Sequence, residues 1–285
     1  MEKQEFDEFR ENLQERFDYY EDDVQNDDLV DFHEILEGKI EEVKAFKLYR
    51  YMPISFYSLR NIETQKLHLS ENGLMNDVFE GLPIAEEYIS ADDAHELHDL
   101  AVMSCLTESN DNLLMWSHYA DSNRGICIEY DLKLLMETQY SKHLSYLYPV
   151  LYGNRRYVAK DYLELIQNTK ELREGIKESI IVDTYDYYNV LPLFLTKSLD
   201  WSYEREWRIV YTKKDLYDLN DQELYSSNIY FPCVNAVYLG YRIEPEVRRS
   251  IEEACERLSR REKREIKVYQ VGLERDCYRL NFTQL

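Results

Sequence analysis

The pentapeptide Lys47-Leu48-Tyr49-Arg50-Tyr51 marks a boundary between two textures of sequence. Before it, Phe6, Phe9, Leu13, Phe17 and Tyr20, and then Leu29, Phe32, Leu36, Ile40 and Val43, recur at three- and four-residue steps in a charged background. That spacing predicts two amphipathic helices, with Asn26-Asp27-Asp28 capping the second. From Lys47 onward the apolar runs are short and rich in Tyr, Val and Ile, and they read as strands at 47–51, 66–70, 101–105, 125–130, 207–211, 236–240 and 266–269. Helical stretches are expected between them at 85–100, 113–120, 161–190 and 244–261. Strands and helices do not alternate strictly, which favours an α+β fold over a doubly wound one. The expected core is a mixed, mainly antiparallel sheet flanked by helices, a single domain over 46–285, preceded by an acidic amphipathic helical extension over 1–45. The extension is expected to pack on the core; the alternative is an arm that docks a protein partner.

The chain carries a net charge of −22, and residues 1–45 contribute −12 of it through 17 acidic against 5 basic side chains. Such a balance argues against sequence-independent binding to a phosphate backbone, which needs clustered cations. The five cysteines, Cys105, Cys127, Cys233, Cys255 and Cys277, are odd in number and form no C-x-x-C pair, so neither a disulfide framework nor a zinc ribbon is expected. The first thirty residues lack the basic start and apolar run of a signal peptide, and no stretch reaches eighteen apolar residues. A cytoplasmic protein without a membrane span is expected.

No Gly-rich phosphate loop, H-E-x-x-H pair or G-x-S-x-G elbow is present. Four polar and aromatic clusters remain. In the first strand, alternation sets Leu48 and Arg50 on one face and Tyr49 and Tyr51 on the other. A buried Arg50 would require an anion, whereas an edge position would let it snorkel to solvent. Asn76-Asp77, following Ser70, is either a local turn or a ligand contact. On the segment from Asn112 to Asp121, Trp116 and Tyr119 lie three apart on a helix and offer an aromatic face to a flat ring, while His118 points elsewhere. In the fourth cluster, an extended segment would put Glu204, Glu206 and Arg208 on one face, with Lys197 near enough to hold a carboxylate and Trp201 and Trp207 flanking it.

Taken in order, Leu48 to Tyr51, Asn76-Asp77, Cys105-Leu106-Thr107-Glu108, Met115-Trp116-Ser117-His118-Tyr119, Gly125 to Asp131, Tyr203-Glu204-Arg205-Glu206-Trp207-Arg208 and Val237-Tyr238-Leu239-Gly240 resemble the bacterial domain of unknown function 2971, over roughly 46–282. That family usually has proline after Asn-Asp, where this chain has Val78. The layout also resembles ADP-ribosyltransferases, in which an early strand carries a polar residue for NAD and a late strand opens on a glutamate. This second resemblance implies Glu206, with Glu204, as catalytic carboxylates. It also implies an NAD site drawn from Arg50, Tyr51, Ser70, Asn76, Asp77, Trp116, His118, Tyr119, Lys197 and Arg208. The early strand lacks the histidine common in such enzymes.

The chemistry supplies a reason for these residue types. Breaking the bond between nicotinamide and ribose builds positive charge on the sugar, which a fixed carboxylate stabilises. The expected activity is therefore an NAD-consuming transferase or NAD glycohydrolase of a bacterial stress, toxin or phage-defence system. NAD would be a co-substrate, no metal would take part, and the acceptor would be a protein, a nucleic acid or a small molecule. The rivals are a metal-dependent nuclease or phosphoesterase using Glu204, Glu206, Asp77 and His118, and a non-catalytic binding module. The leading expectation requires Glu206 and Arg50 to face one hollow from the same side of the sheet.

Overall fold

The computed structural model describes Glu11 and residues 47–71, 76–77, 79, 101–154, 191, 193–212 and 228–285. The expected N-terminal helices, apart from Glu11, and the helices at 85–100 and 161–190 lie outside the described residues.

The main sheet takes β1 (Lys47–Met52), β3 (Ser70–Glu71), β4 (Ala101–Thr107), β5 (Ile126–Asp131), β6 (Leu147–Pro149), β9 (Glu206–Thr212), β11 (Val234–Leu239), β12 (Lys267–Leu273) and β13 (Leu280–Gln284). Its order is β13-β12-β11-β5-β1-β4-β9-β6, with β3 beside β4. Every pairing in it is antiparallel except β11 with β12, which the helix α4 (Pro245–Glu262) connects. Parallel neighbours need such a crossover, and this one starts with a proline in the first helical turn, where its missing N–H costs nothing. Two small ribbons stand apart, β2 (Lys66–His68) with β10 (Asn228–Tyr230), and β7 (Leu151–Gly153) with β8 (Thr196–Ser198). The α+β class with a mainly antiparallel sheet is thus the observed one.

The period-two alternation of the strands divides the core. Leu48 and Met52 of β1, Ile128 and Tyr130 of β5, Trp207, Ile209 and Tyr211 of β9, and Val237 and Leu239 of β11 belong to one cluster. Ile62 of α1 (Phe56–Thr64) and Ile251, Ala254, Cys255 and Leu258 of α4 complete it. The opposite face carries Tyr51, Cys127, Ala236 and Tyr238, packed with Met115 and Trp116 of α2 (Leu113–His118). Here Trp116 is completely buried, meets Tyr51 edge-on and donates its indole N–H to the Asn110 carbonyl. Gly125, which follows α2, leaves no room for a side chain, since a Cβ would stand 2.3 Å from the Met52 carbonyl.

One irregularity positions the site. β1 runs along β5 for six residue pairs, but meets β4 at a single pair, Tyr49 with Thr107. Further along, β4 pairs with β3 instead, through Ser70–Met103 and Glu71–Val102. The sheet therefore splays between β1 and β4.

Among the described residues no helix is long and apolar enough to cross a membrane. None of the five cysteines takes part in a disulfide, and Cys127, Cys233 and Cys255 are buried.

Candidate functional site

A cavity of about 200 Å³ opens at this splay. Tyr49, Tyr51, Met103 and Met115 give it an apolar wall; Asn76, Tyr119, Lys197, Glu204, Glu206 and Arg208 give it a polar one. Segments far apart in the chain meet here because β4 and β9 pair in register, setting Cys105 against Arg208 and Thr107 against Glu206.

The polar wall is a chain of charge-assisted hydrogen bonds. Arg208, with no exposed surface, grips Glu206 with its fork, Nε to Oε1 at 2.8 Å and Nη2 to Oε2 at 2.9 Å, and donates Nη1 to the Phe194 carbonyl at 2.6 Å. Such a bidentate pair fixes both groups in direction as well as distance. Lys197 then bridges the carboxylates, at 2.7 Å from Glu204 and 3.3 Å from Glu206, so the two acids lie no farther apart than those distances combined. Its ammonium also sits 4.8 Å from the centre of the Trp201 ring. The Tyr119 hydroxyl donates to Glu204, and Asn76 bonds to Tyr119 in turn.

The environments of the two carboxyls push their acidities apart. Burial opposes ionisation of Glu206, but the charges of Arg208 and Lys197 outweigh it and bring the carboxyl down to about 2, with Cys105 as a further hydrogen-bond partner. For Glu204, burial and then the neighbouring charge of Glu206 win over Lys197 and Tyr119, and the carboxyl is raised. Burial, followed by the bond to Glu204, raises the Tyr119 phenol as well. A pair displaced in opposite senses can divide the roles of fixed anion and exchangeable proton site.

Glu204 and Glu206 do not share an extended segment, as the sequence suggested. Leu199–Glu204 is a 3-10 helix, Arg205 is left-handed at φ 46°, and β9 starts at Glu206. Both carboxylates still reach Lys197, by a kink rather than by alternation.

Of the other expected site residues, Tyr51 and Ser70 border the cavity, and the Tyr51 hydroxyl donates to the Ser109 carbonyl. Arg50 borders it too, but alternation sets Arg50 with Leu48 and Met52, on the face of Trp207 and Ile209, while Glu206 and Arg208 belong to the opposite face. The expectation that Arg50 and Glu206 approach from one side of the sheet is not met. Arg50 reaches the hollow only because β1 and β4 part, and its guanidinium donates to the His68 carbonyl at 3.3 Å. Trp116 is core and offers no platform. His118 is exposed, its Nδ1 3.1 Å from the Tyr203 hydroxyl. Asp77 makes a local turn, accepting from the Phe79 N–H at 3.0 Å.

Met103, Cys105 and Thr107 were not anticipated as cavity residues. They alternate along β4 and so face the site together, but only the register with β9 reveals it.

A family model described as protein of unknown function, DUF2971, matches residues 115–209, a third of the chain. The match takes in α2 from Met115 onward, Lys197 and both carboxylates, and leaves β1 outside. No curated protein and no solved structure matches the chain. Over residues 115–209, which hold most of the polar wall, the chain is similar to the DUF2971 family, whose description names no activity.

Proposed function

We propose that the chain is an NAD-consuming enzyme that breaks the bond between nicotinamide and ribose, as an ADP-ribosyltransferase-like transferase or an NAD glycohydrolase. The observation that supports it is the carboxylate pair, with Glu206 held ionised by Arg208 and Glu204 raised, both on one ammonium at the wall of a tyrosine-lined cavity. At about 200 Å³ the cavity is smaller than the several hundred Å³ typical of a whole drug-sized ligand, so it suits the nicotinamide–ribose end of the dinucleotide.

In this reading the C–N bond breaks with its electron pair going to nicotinamide, and the positive charge left on the ribose is opposed by the fixed negative charge of Glu206. Glu204 accepts the proton that the incoming acceptor, water or another nucleophile, loses as it bonds to the sugar carbon; its raised pKa makes it a stronger proton acceptor than an ordinary carboxylate. Tyr119 orients Glu204. This reading does not need Arg50 beside Glu206, because Arg208 and Lys197 supply the cations that fix this carboxylate, while Arg50 borders the cavity from the other face.

The metal-dependent nuclease is less well supported. Two cations already offset the two carboxylates, and neither Asp77 nor His118 stands with them.

The test is incubation of purified protein with NAD, measuring free nicotinamide, with Glu206→Gln alongside. Release by the wild type, reduced at least tenfold in the variant, is expected. Equal release by both would remove Glu206 from the reaction, and no release with protein, nucleic-acid or small-molecule acceptors would overturn the reading.

A further inference from the structure

Glu108 lies outside the carboxylate pair, yet it touches the chain on both sides of Glu206. Its Oε2 accepts from Arg205 Nε at 2.7 Å and pairs with Nη2 at 2.6 Å, and its Oε1 accepts from the Trp207 indole N–H at 2.8 Å. Its own backbone N–H donates to the Arg205 carbonyl at 3.3 Å. The preceding residue, Thr107, donates its hydroxyl to the Glu204 carbonyl at 2.5 Å. These two residues therefore hold every position from 204 to 207 through backbone, side chain or β-pairing.

Arg205 is the residue in need of holding. Its φ of 46° and ψ of 51° are left-handed, as at the helix caps Gln65 and Lys263, and its N–H donates to the Ser202 carbonyl. The region is disfavoured for a side chain with a Cβ, so the further hold of Glu108 on its guanidinium bears on the kink. Released from Glu108, Arg205 would relax toward ordinary extended geometry and prolong β9 backward, turning Glu204 away from the 3-10 corner. The side chain of Glu108 is nearly buried, so its charge is aimed at Arg205 and Trp207 rather than at solvent.

We infer that Glu108 is a positioning residue: by clamping the left-handed kink at Arg205 it brings Glu204 and Glu206 onto the single ammonium of Lys197. The inference rests on the reading of that pair as the reactive centre, but its principal test needs no substrate. The groups that face Glu204 are Tyr119, Lys197 and Glu206, so its titration reports its position among them.

The experiment follows the Glu204 carboxyl by 13C NMR across pH in the wild type, Glu108→Gln, Arg205→Gly and Glu108→Gln/Arg205→Gly. Glycine adopts the left-handed kink without a clamp. The expected pattern is a raised midpoint in the wild type and in Arg205→Gly, a fall toward the ordinary carboxylate range in Glu108→Gln, and a return in the double variant. An unmoved midpoint in Glu108→Gln, a fall in Arg205→Gly or an unrestored double variant overturns the inference. Should Glu108→Gln fail to fold, the same inference requires the double variant to fold with the wild-type midpoint. Nicotinamide release, assayed in parallel, should fall at least tenfold in Glu108→Gln and recover in the double variant. Its absence in the wild type would overturn the proposed reaction while the titration still decides the clamp.

Discussion

Glu206→Gln separates the electrostatics of the site from its chemistry. The amide keeps the shape of the carboxylate, but it leaves the completely buried fork of Arg208 against a neutral group. A carboxyl that ionises at about 2 when folded, against an ordinary value of 4.5, adds about 3 kcal/mol to stability at neutral pH. That figure sits at the lower edge of the ~3–5 kcal/mol lost when one partner of a buried ion pair is removed. Because the folded value is depressed, this stability is present above 4.5 and is lost as pH falls through about 2. With unfolding entropy of ~2.1 cal/mol/K per residue, a chain of this length loses about 5 °C of Tm for 3 kcal/mol. Thermal melting followed by circular dichroism should therefore put Glu206→Gln about 5 °C below the wild type at pH 7, with the gap closing between pH 4.5 and 2. Coincident melts at neutral pH, or a gap that persists undiminished at pH 2, would refute the idea that Arg208 and Glu206 form a stabilising ionised pair.

Tyr119→Phe removes the hydroxyl that holds Glu204 while keeping the ring; nicotinamide release should fall about tenfold, with chemical denaturation showing a stability loss of only about 1 kcal/mol, that of one hydrogen bond. His118→Ala should leave nicotinamide release within twofold of the wild type, because the imidazole is exposed and bonded to Tyr203 rather than to the cavity, and its urea midpoint should shift little, as for other surface substitutions.

The fold was legible where burial imposes a strict period. β1, β4, β5, β9, β11 and β12 lie within a few residues of the runs read from sequence, because their buried positions carry mainly apolar, β-branched or aromatic residues at a strand period. α1 was missed for the opposite reason. Phe56 and Tyr57 are exposed, and its buried positions are Ser58 and Ile62, so the chain shows no apolar stripe. Its start is set by a capping box in which Ser58 takes the place usually held by Glu or Gln. The run read at 66–70 divides into β2 and the start of β3, whereas β7, β8 and β10, each three residues long, are too short to establish a period.

The site was legible in its residues and not in its geometry. Glu204, Glu206, Lys197, Arg208, Tyr119 and Asn76 stand out as polar groups beside aromatic ones, and folding does bring them to one wall. Trp116 was misread because a helical aromatic face looks the same whether it meets a ligand or a sheet; with Tyr51 and Tyr238 across from it, core packing won. Of the two aromatic residues, Trp116 and Tyr119, only Tyr119, at the end of α2, reaches the cavity, and its hydroxyl bonds to Glu204 there.

What the sequence could not disclose is the kink, since Arg205 carries no glycine signal and its side chain is held by a carboxylate nearly a hundred residues away. The same long-range dependence explains the fate of Arg50. Alternation assigned it to a face correctly, but whether that face meets the cavity depends on the parting of β1 from β4, a property of three strands and not of one. Four charged side chains in so small a space are tolerable because their charges balance and each is hydrogen-bonded, which lets the chain keep two neighbouring carboxyls of opposed acidity at the edge of a packed core.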